Sequence, residues 1–261
     1  MFAKLLKHEF KSCAGLMGLL SLASLVLGAA GGFMLRYIVQ SADRMMEEDS
    51  VGVLLMILLV FSLLTLFALL MAGWIYLCVQ FYKRKFTDQG YLTFTLPVRS
   101  WQIYLSSFLN ILLWSAILTA SLFLAFVGIF AIGLMNTELW EEIVRSFSEM
   151  PFEEVFSDFD FMNPLYTIGQ SLCSIMIMMN CMTFGAVLAK KHKVLTAIGI
   201  YYVLSLVMGS VSTWLLDLSY VTDFYVVMER MQLVNVLVYA VVGVGGAVLS
   251  IFLMEKKLNL P

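Results

Sequence analysis

The sequence is poor in charge: only 13% of its residues are Asp, Glu, Lys or Arg, whereas 61% are hydrophobic. A soluble domain carries about 25% charged residues. Six stretches contain no charged residue, and the shortest has 23 residues, more than the ~20 that span a bilayer as a helix. They are 12–35, 50–82, 100–137, 161–189, 194–216 and 231–254. They predict an all-α polytopic membrane protein with six transmembrane helices, because a barrel would show short alternating strands instead.

Catalytic and ion-carrying side chains are also missing from these stretches. Their only ionisable groups are cysteine and tyrosine, whereas ion-coupled carriers place acids, histidines or arginines at mid-membrane. The two histidines, His8 and His192, lie outside the stretches, and the chain contains neither HExxH nor GxSxG. An intramembrane enzyme is therefore disfavoured. We expect no catalytic, metal-binding or cofactor-binding residue, and no nucleic-acid partner.

A phosphate-binding loop is absent as well. The motif GxxxxGK[ST] does not occur in the chain, so the protein does not bind ATP by that device. If the protein pumps a substrate, the energy must enter from a separate subunit. That subunit would have to act through the cytoplasmic surface of this chain.

The polar interruptions divide one transmembrane domain, 1–261, into spans and connections. The expected spans are 12–39, 51–82, 100–135, 161–189, 194–216 and 231–254. The expected connections are an interfacial helix 1–11, a cytoplasmic coupling segment 83–99, outer loops 136–160 and 217–230, and a tail 255–261. For 217–230, a short re-entrant helix is an alternative to a plain loop.

Basic residues are concentrated on one side of this arrangement. The side that holds both termini, 83–99 and 190–193 carries 12 of the 16 Lys and Arg residues. The positive-inside rule therefore places both termini in the cytoplasm of a multi-pass cell-membrane protein. The opposite side carries 15 of the 18 acidic residues, above all in 136–160. We interpret that acidity as solvation of an exterior loop, with attraction of cationic solutes or peptides as the alternative.

Residues 2–11, FAKLLKHEFK, have the pattern of an amphipathic helix that lies on the inner leaflet. Its basic and apolar faces consist, respectively, of Lys4, Lys7, His8 and Lys11, and of Phe2, Leu5, Leu6 and Phe10. Glu9 falls on the apolar face, where a carboxylate is costly unless it is paired. We expect its partner to be a cation of the coupling segment: Lys83, Arg84, Lys85 or Arg99.

Small and polar residues within the spans suggest how the helices associate. Glycines and alanines at 28–32 and 243–247 let helix backbones approach closely, either within one subunit or at a seam between subunits. Gln170 and Asn180 are polar residues inside the fourth expected span. We interpret both as interhelical hydrogen-bonding groups, with the lining of a substrate path as the alternative.

The segment 83–99, KRKFTDQGYLTFTLPVR, has the pattern of a short helix, a break and a restart. Gly90 weakens the helix, and Pro97 pushes Leu96 towards extended geometry. The apolar side chains that we expect to be exposed there are Phe86, Tyr91, Leu92 and Phe94. Exposed aromatic groups on a short helix are typical of docking into a groove of another protein. The alternative is a helix that lies on the lipid surface.

The run GYLTFTLPVRSWQIYLSSFL resembles the cytoplasmic segment of ABC transporter permeases of the type-2 exporter class. The basic start KLLKHEFK and the tail EKKLNL are similar to the same family. The family often has a lysine near the start of the third span, where this chain has Ser106 and Ser107. The resemblance implies a six-helix permease that assembles with a second permease subunit. It also implies two ATP-binding cassette ATPase subunits, which hold ATP and magnesium.

The resemblance further implies a coupling helix seated in a cleft of the ATPase. Carried onto this sequence, the contact consists of Lys85, Phe86, Thr87, Asp88, Gln89, Gly90, Tyr91, Leu92 and Thr93. Thr95, Leu96 and Pro97 would form an elbow that passes motion to the third span. The expected function is outward transport driven by ATP hydrolysis in the partner. The alternative is a membrane scaffold or immunity protein that binds a partner without transport.

Overall fold

The protein is all-helical throughout the residues that the computed structural model describes, which are 2–40, 50–87, 90, 99–135, 137–149, 162–189, 191–217 and 224–256. The helices are α1 (Phe2–Gln40), α2 (Ser50–Phe86), α3 (Ser100–Leu134), α4 (Glu138–Glu149), α5 (Met162–Leu188), α6 (Lys193–Asp217) and α7 (Phe224–Lys256). All except α4 are long and apolar enough to cross a membrane. The predicted all-α fold is thereby confirmed for the described residues, with six helices that are long and apolar enough to span a membrane.

Large apolar side chains on these helices face outwards, as lipid-facing side chains do. Phe61, Phe123 and Val241 are 67%, 68% and 72% exposed, respectively. A soluble protein rarely exposes apolar surface on this scale, because water penalises contiguous apolar patches. The exposed faces therefore agree with a multi-pass membrane protein.

The helices are longer than the charge-free stretches at several ends. Residues 2–11 form the first turns of α1 and not a separate helix, because the helix continues without interruption through residues 12–15. Residues 83–86 continue α2, and the cations of this last turn suit the negative end of the helix dipole. Residues 224–230 of the expected outer loop are the beginning of α7.

The expected outer loop 136–160 contains a helix of 12 residues, α4. Apolar residues in it recur at helical spacing, and Thr137 caps its first turn. The Thr137 hydroxyl accepts a hydrogen bond from the Trp140 backbone N–H at 3.3 Å. Treating the whole segment as a loop was therefore wrong, because its high charge obscured a helical pattern.

The described helices form two compact units, of which one comprises 10–77 and 113–159. In this unit α1 packs closely on α3: a Cβ added at Gly28 would lie 2.6 Å from the Ala125 Cα atom. Phe10 stacks on Trp114 with ring centroids 4.6 Å apart. Ser24 donates a hydrogen bond to the Ser121 hydroxyl at 3.2 Å. The small residues of the first span thus pack within a single chain.

The other unit comprises 1–9, 78–112 and 160–261. Helix α5 packs against α6 and α7, and α6 packs against α7. Ile177, Cys181 and Met208 form one buried apolar cluster of this unit. A Cβ at Gly246 would lie 2.5 Å from the Asn180 side-chain nitrogen, and one at Gly243 would lie 3.4 Å from the Cys173 carbonyl oxygen, so these two glycines of α7 pack within the chain.

Gly28→Ala tests the close approach of α1 and α3. The added methyl group meets the Ala125 backbone, which cannot rotate away, and we expect the free energy of unfolding to fall by about 1–3 kcal/mol. Gly18→Ala is the matched control, because nothing lies within 4 Å of the added Cβ. Unfolding in mixed detergent micelles measures both variants. Equal stability of the two would contradict the packing described above.

Candidate functional site

A buried ion pair holds the root of the 83–99 segment, by which we mean the residues at its start that continue α2. The Lys85 ammonium donates a hydrogen bond to Glu9 Oε1 at 2.6 Å. The two side chains are only 3% and 7% exposed, respectively. Burial of a lone carboxylate is strongly unfavourable, and a close, hydrogen-bonded cation offsets much of that penalty. The expectation that Glu9 pairs with a cation of the coupling segment is confirmed.

Two further groups bind Glu9. The Ser107 hydroxyl of α3 donates to the same Oε1 atom at 3.2 Å. Arg84 donates from its guanidinium to the Glu9 backbone carbonyl at 3.2 Å. One glutamate at the start of α1 thus joins the end of α2 to the beginning of α3.

Ser107 is the member of this cluster that sequence reasoning missed. In the sequence, this position stands out only because the family that the chain resembles often has a lysine there. In this chain the cation comes from α2, as Lys85, and the α3 residue contributes a hydroxyl. No sequence pattern singles out this serine, because a hydroxyl in a membrane helix also bonds to its own backbone. The single Ser107 proton is shared between the Ile103 carbonyl oxygen at 3.1 Å and Glu9 Oε1 at 3.2 Å.

Phe86 is buried and not exposed, which corrects the expectation for this aromatic residue. Its side chain is 4% exposed. The ring meets Phe81 edge-on with centroids 5.8 Å apart and lies 6.1 Å from Tyr82. The physical reason is that α2 continues through Phe86, which turns the ring back onto its own helix. Lys85 is likewise buried, so neither residue offers surface to another protein in this structure.

Gly90 folds back onto the end of α2. Its N–H donates to the Thr87 carbonyl at 2.7 Å. A Cβ at this position would lie 2.5 Å from the Lys85 carbonyl oxygen. Thr87 in turn donates from its hydroxyl to the Lys83 carbonyl. Glycine is therefore required here by a close backbone approach, which is a stronger constraint than the helix weakening expected from its sequence position.

The remaining predicted site residues divide into described and undescribed groups. Lys4, Lys7 and Lys11 are exposed along α1. The undescribed residues of the contact and the elbow are Asp88, Gln89, Tyr91, Leu92 and Thr93, and Thr95, Leu96 and Pro97. Among the described residues, no group of His, Cys, Asp and Glu side chains is arranged to hold a metal ion.

Asn180 is the centre of a second polar cluster, inside the spans. Its side-chain oxygen accepts hydrogen bonds from Tyr104 at 2.8 Å and from Ser250 at 3.0 Å. Its side-chain nitrogen donates to the Gly243 carbonyl at 2.9 Å. The side chain thus links α3, α5 and α7, as an interhelical hydrogen-bonding group does. Gln170, on the same helix, is half-buried.

Comparison with protein-family models, characterised proteins and solved structures finds no match to this chain. Its function must therefore be argued from its own residues and from the sequence resemblance. The cluster around Glu9 is the strongest basis, because it connects the start of the 83–99 segment to helices α1 and α3.

Lys85→Met tests the ion pair, because it leaves the Glu9 carboxylate buried without its cation. We expect the free energy of unfolding to fall by about 3–5 kcal/mol. The double variant Glu9→Gln/Lys85→Met should recover part of this loss, since no unpaired charge is then buried. Lys83→Met is the control, because Lys83 is exposed on the same turn. Additive single effects, or an equal effect of the control, would contradict the pairing.

Asn180→Leu tests whether Asn180 joins helices or lines a path. Loss of its hydrogen bonds should lower stability by about 2 kcal/mol, at roughly 0.6 kcal/mol per interhelical bond. Gln170→Leu, at a half-buried position on the same helix, should change stability less. A loss of transport with unchanged stability in Asn180→Leu would instead favour the substrate-path interpretation.

Proposed function

We propose that this chain is the membrane-spanning permease subunit of an ATP-binding cassette exporter. A partner ATPase subunit binds and hydrolyses ATP with magnesium, and a second permease subunit completes the path through the membrane. The substrate moves outward across the cell membrane. Both termini and the 83–99 segment face the cytoplasm, as the distribution of Lys and Arg favours.

The observation that carries this proposal is the anchoring of the 83–99 segment at its root. Lys85 is bound to Glu9 of α1, and Glu9 is bound to Ser107 of α3. Gly90 lies against the Lys85 carbonyl. A displacement applied to the following residues would therefore act on α1, α2 and α3 together, since packed interfaces move as units and do not deform continuously. A plain linker would need no such anchor.

The residues of the segment then take different roles. Lys85, Phe86 and Gly90 anchor it inside the chain. The contact with the ATPase falls to Thr87, Asp88, Gln89, Tyr91, Leu92 and Thr93. This stretch forms the coupling helix, and Thr95, Leu96 and Pro97 form the elbow that leads into α3. Lys4, Lys7 and Lys11 meet anionic headgroups along an interfacial start of α1. ATP drives transport if the ATPase states contact this segment differently.

Tyr91→Ala and Gly90→Pro test the coupling contact. Tyr91→Ala removes an aromatic anchor, and Gly90→Pro removes the N–H that the Thr87 carbonyl accepts. We expect each to weaken capture of the ATPase about tenfold, since such anchors contribute on the order of 1–2 kcal/mol. We also expect loss of ATP-stimulated export. Lys191→Ala, an exposed residue of the other cytoplasmic connection, should leave both unchanged.

Purification of the wild-type chain from native membranes provides the first measurement. A nucleotide-hydrolysing subunit that co-purifies and is identified by mass supports the proposal. Absence of such a subunit would contradict it and favour a scaffold or immunity protein. Full ATP-stimulated export by Tyr91→Ala and Gly90→Pro would contradict the coupling role while leaving the permease role intact.

A further inference from the structure

Helix α4 has an apolar face whose described side chains remain partly or largely exposed. Ile143 and Val144 are 39% and 48% exposed, and Trp140 is half-buried. At about 100° per residue these side chains fall within an arc of roughly 100°. The charged side chains centred on the opposite face are Glu138, Glu142, Arg145 and Glu149. The two chemistries are thus segregated to opposite sides of a short helix.

The position of α4 is fixed by its joint to α3, a helix able to span the membrane. The Thr137 hydroxyl donates to the Leu134 carbonyl at 2.6 Å, and the Thr137 carbonyl accepts from the Trp140 and Glu141 N–H groups at 3.0 and 3.2 Å. Thr137 therefore caps both the end of α3 and the start of α4. With only residues 135–137 between them, α4 begins at most about 14 Å from the end of α3. Because α3 remains apolar up to Leu134, we place its end, and with it the first turn of α4, at or near the headgroup layer.

We propose that α4 lies in the membrane interface, on the side opposite the chain termini, with a zwitterionic lipid surface as its partner. Ile143 and Val144 enter the boundary between headgroups and acyl chains. Trp140 lies at the membrane–water interface, which its amphipathic ring favours. The glutamates face water. Because most of the charges on this helix are acidic, apolar burial drives its binding, and anionic headgroups do not attract it. This proposal does not rest on the exporter function.

Spin labels on the two faces of α4 test the proposal in the full-length protein in phosphatidylcholine vesicles. Val144→Cys samples the apolar face, and Glu142→Cys is the matched control on the charged face. We expect the label at 144 to be several-fold more accessible to oxygen than to a water-soluble nickel complex, and the label at 142 to show the reverse. Unmutated protein corrects for labelling of Cys13, Cys78, Cys173 and Cys181.

Two outcomes would overturn the proposal. Preference of both labels for the nickel complex would mean that α4 stands in water. Shielding of the label at 144 from both reagents would mean that protein, such as a second copy of the chain, covers this face.

Tryptophan fluorescence gives a second measurement without an added cysteine. Lipids brominated near the headgroups should quench wild-type protein more than Trp140→Phe, because the variant lacks the interfacial ring. Equal quenching of the two proteins would show that Trp140 does not touch lipid and would overturn the proposal.

Discussion

The buried contact between Glu9 and Lys85 is the constraint on which the neighbouring ends of α1, α2 and α3 depend. A carboxylate on an apolar helix face must find a cation and further donors, or its desolvation is uncompensated. Lys85 reaches it only because α2 continues as a helix through Phe86. Ser107 reaches it only because α3 begins at Ser100. The pair therefore determines where α1, α2 and α3 meet, which hydrophobicity alone would leave undefined.

Within the spans, a neutral side chain joins the helices in place of an ion pair. Asn180 is neutral, and its amide offers both an acceptor and a donor, so it joins α3, α5 and α7 without burying a charge. Gly246 makes room for the amide by lacking a Cβ. A charged residue at this place would need a counterion within hydrocarbon, whereas a neutral amide needs only hydroxyl and carbonyl groups that helices already provide.

The membrane-spanning helices could be predicted from sequence because the bilayer imposes one requirement, apolar length, that every span must meet. The kind of partner that Glu9 needs could be predicted, because a carboxylate on an apolar helix face is costly unless a cation pairs with it. Helix ends were harder, since α2 continues through charged residues that a hydropathy pattern excludes. The burial of Phe86 follows from this continuation of α2, so it could not be predicted without knowing where α2 ends. Ser107 gave no signal, because serine is common in membrane helices for several reasons.

Gly90 and Lys85 are both turned towards the interior, which reduces the part of the 83–99 segment that another protein could contact. The close approach of Gly90 to the Lys85 carbonyl leaves no space for a side chain, and the Lys85 ammonium is bound inward to Glu9. The root of the segment is thus committed to the interior of its own unit. In the exporter that we propose, recognition of the ATPase is therefore assigned to the residues that follow, and the anchored root passes their displacement to the helices. A segment free at its root would absorb a displacement before any helix moved.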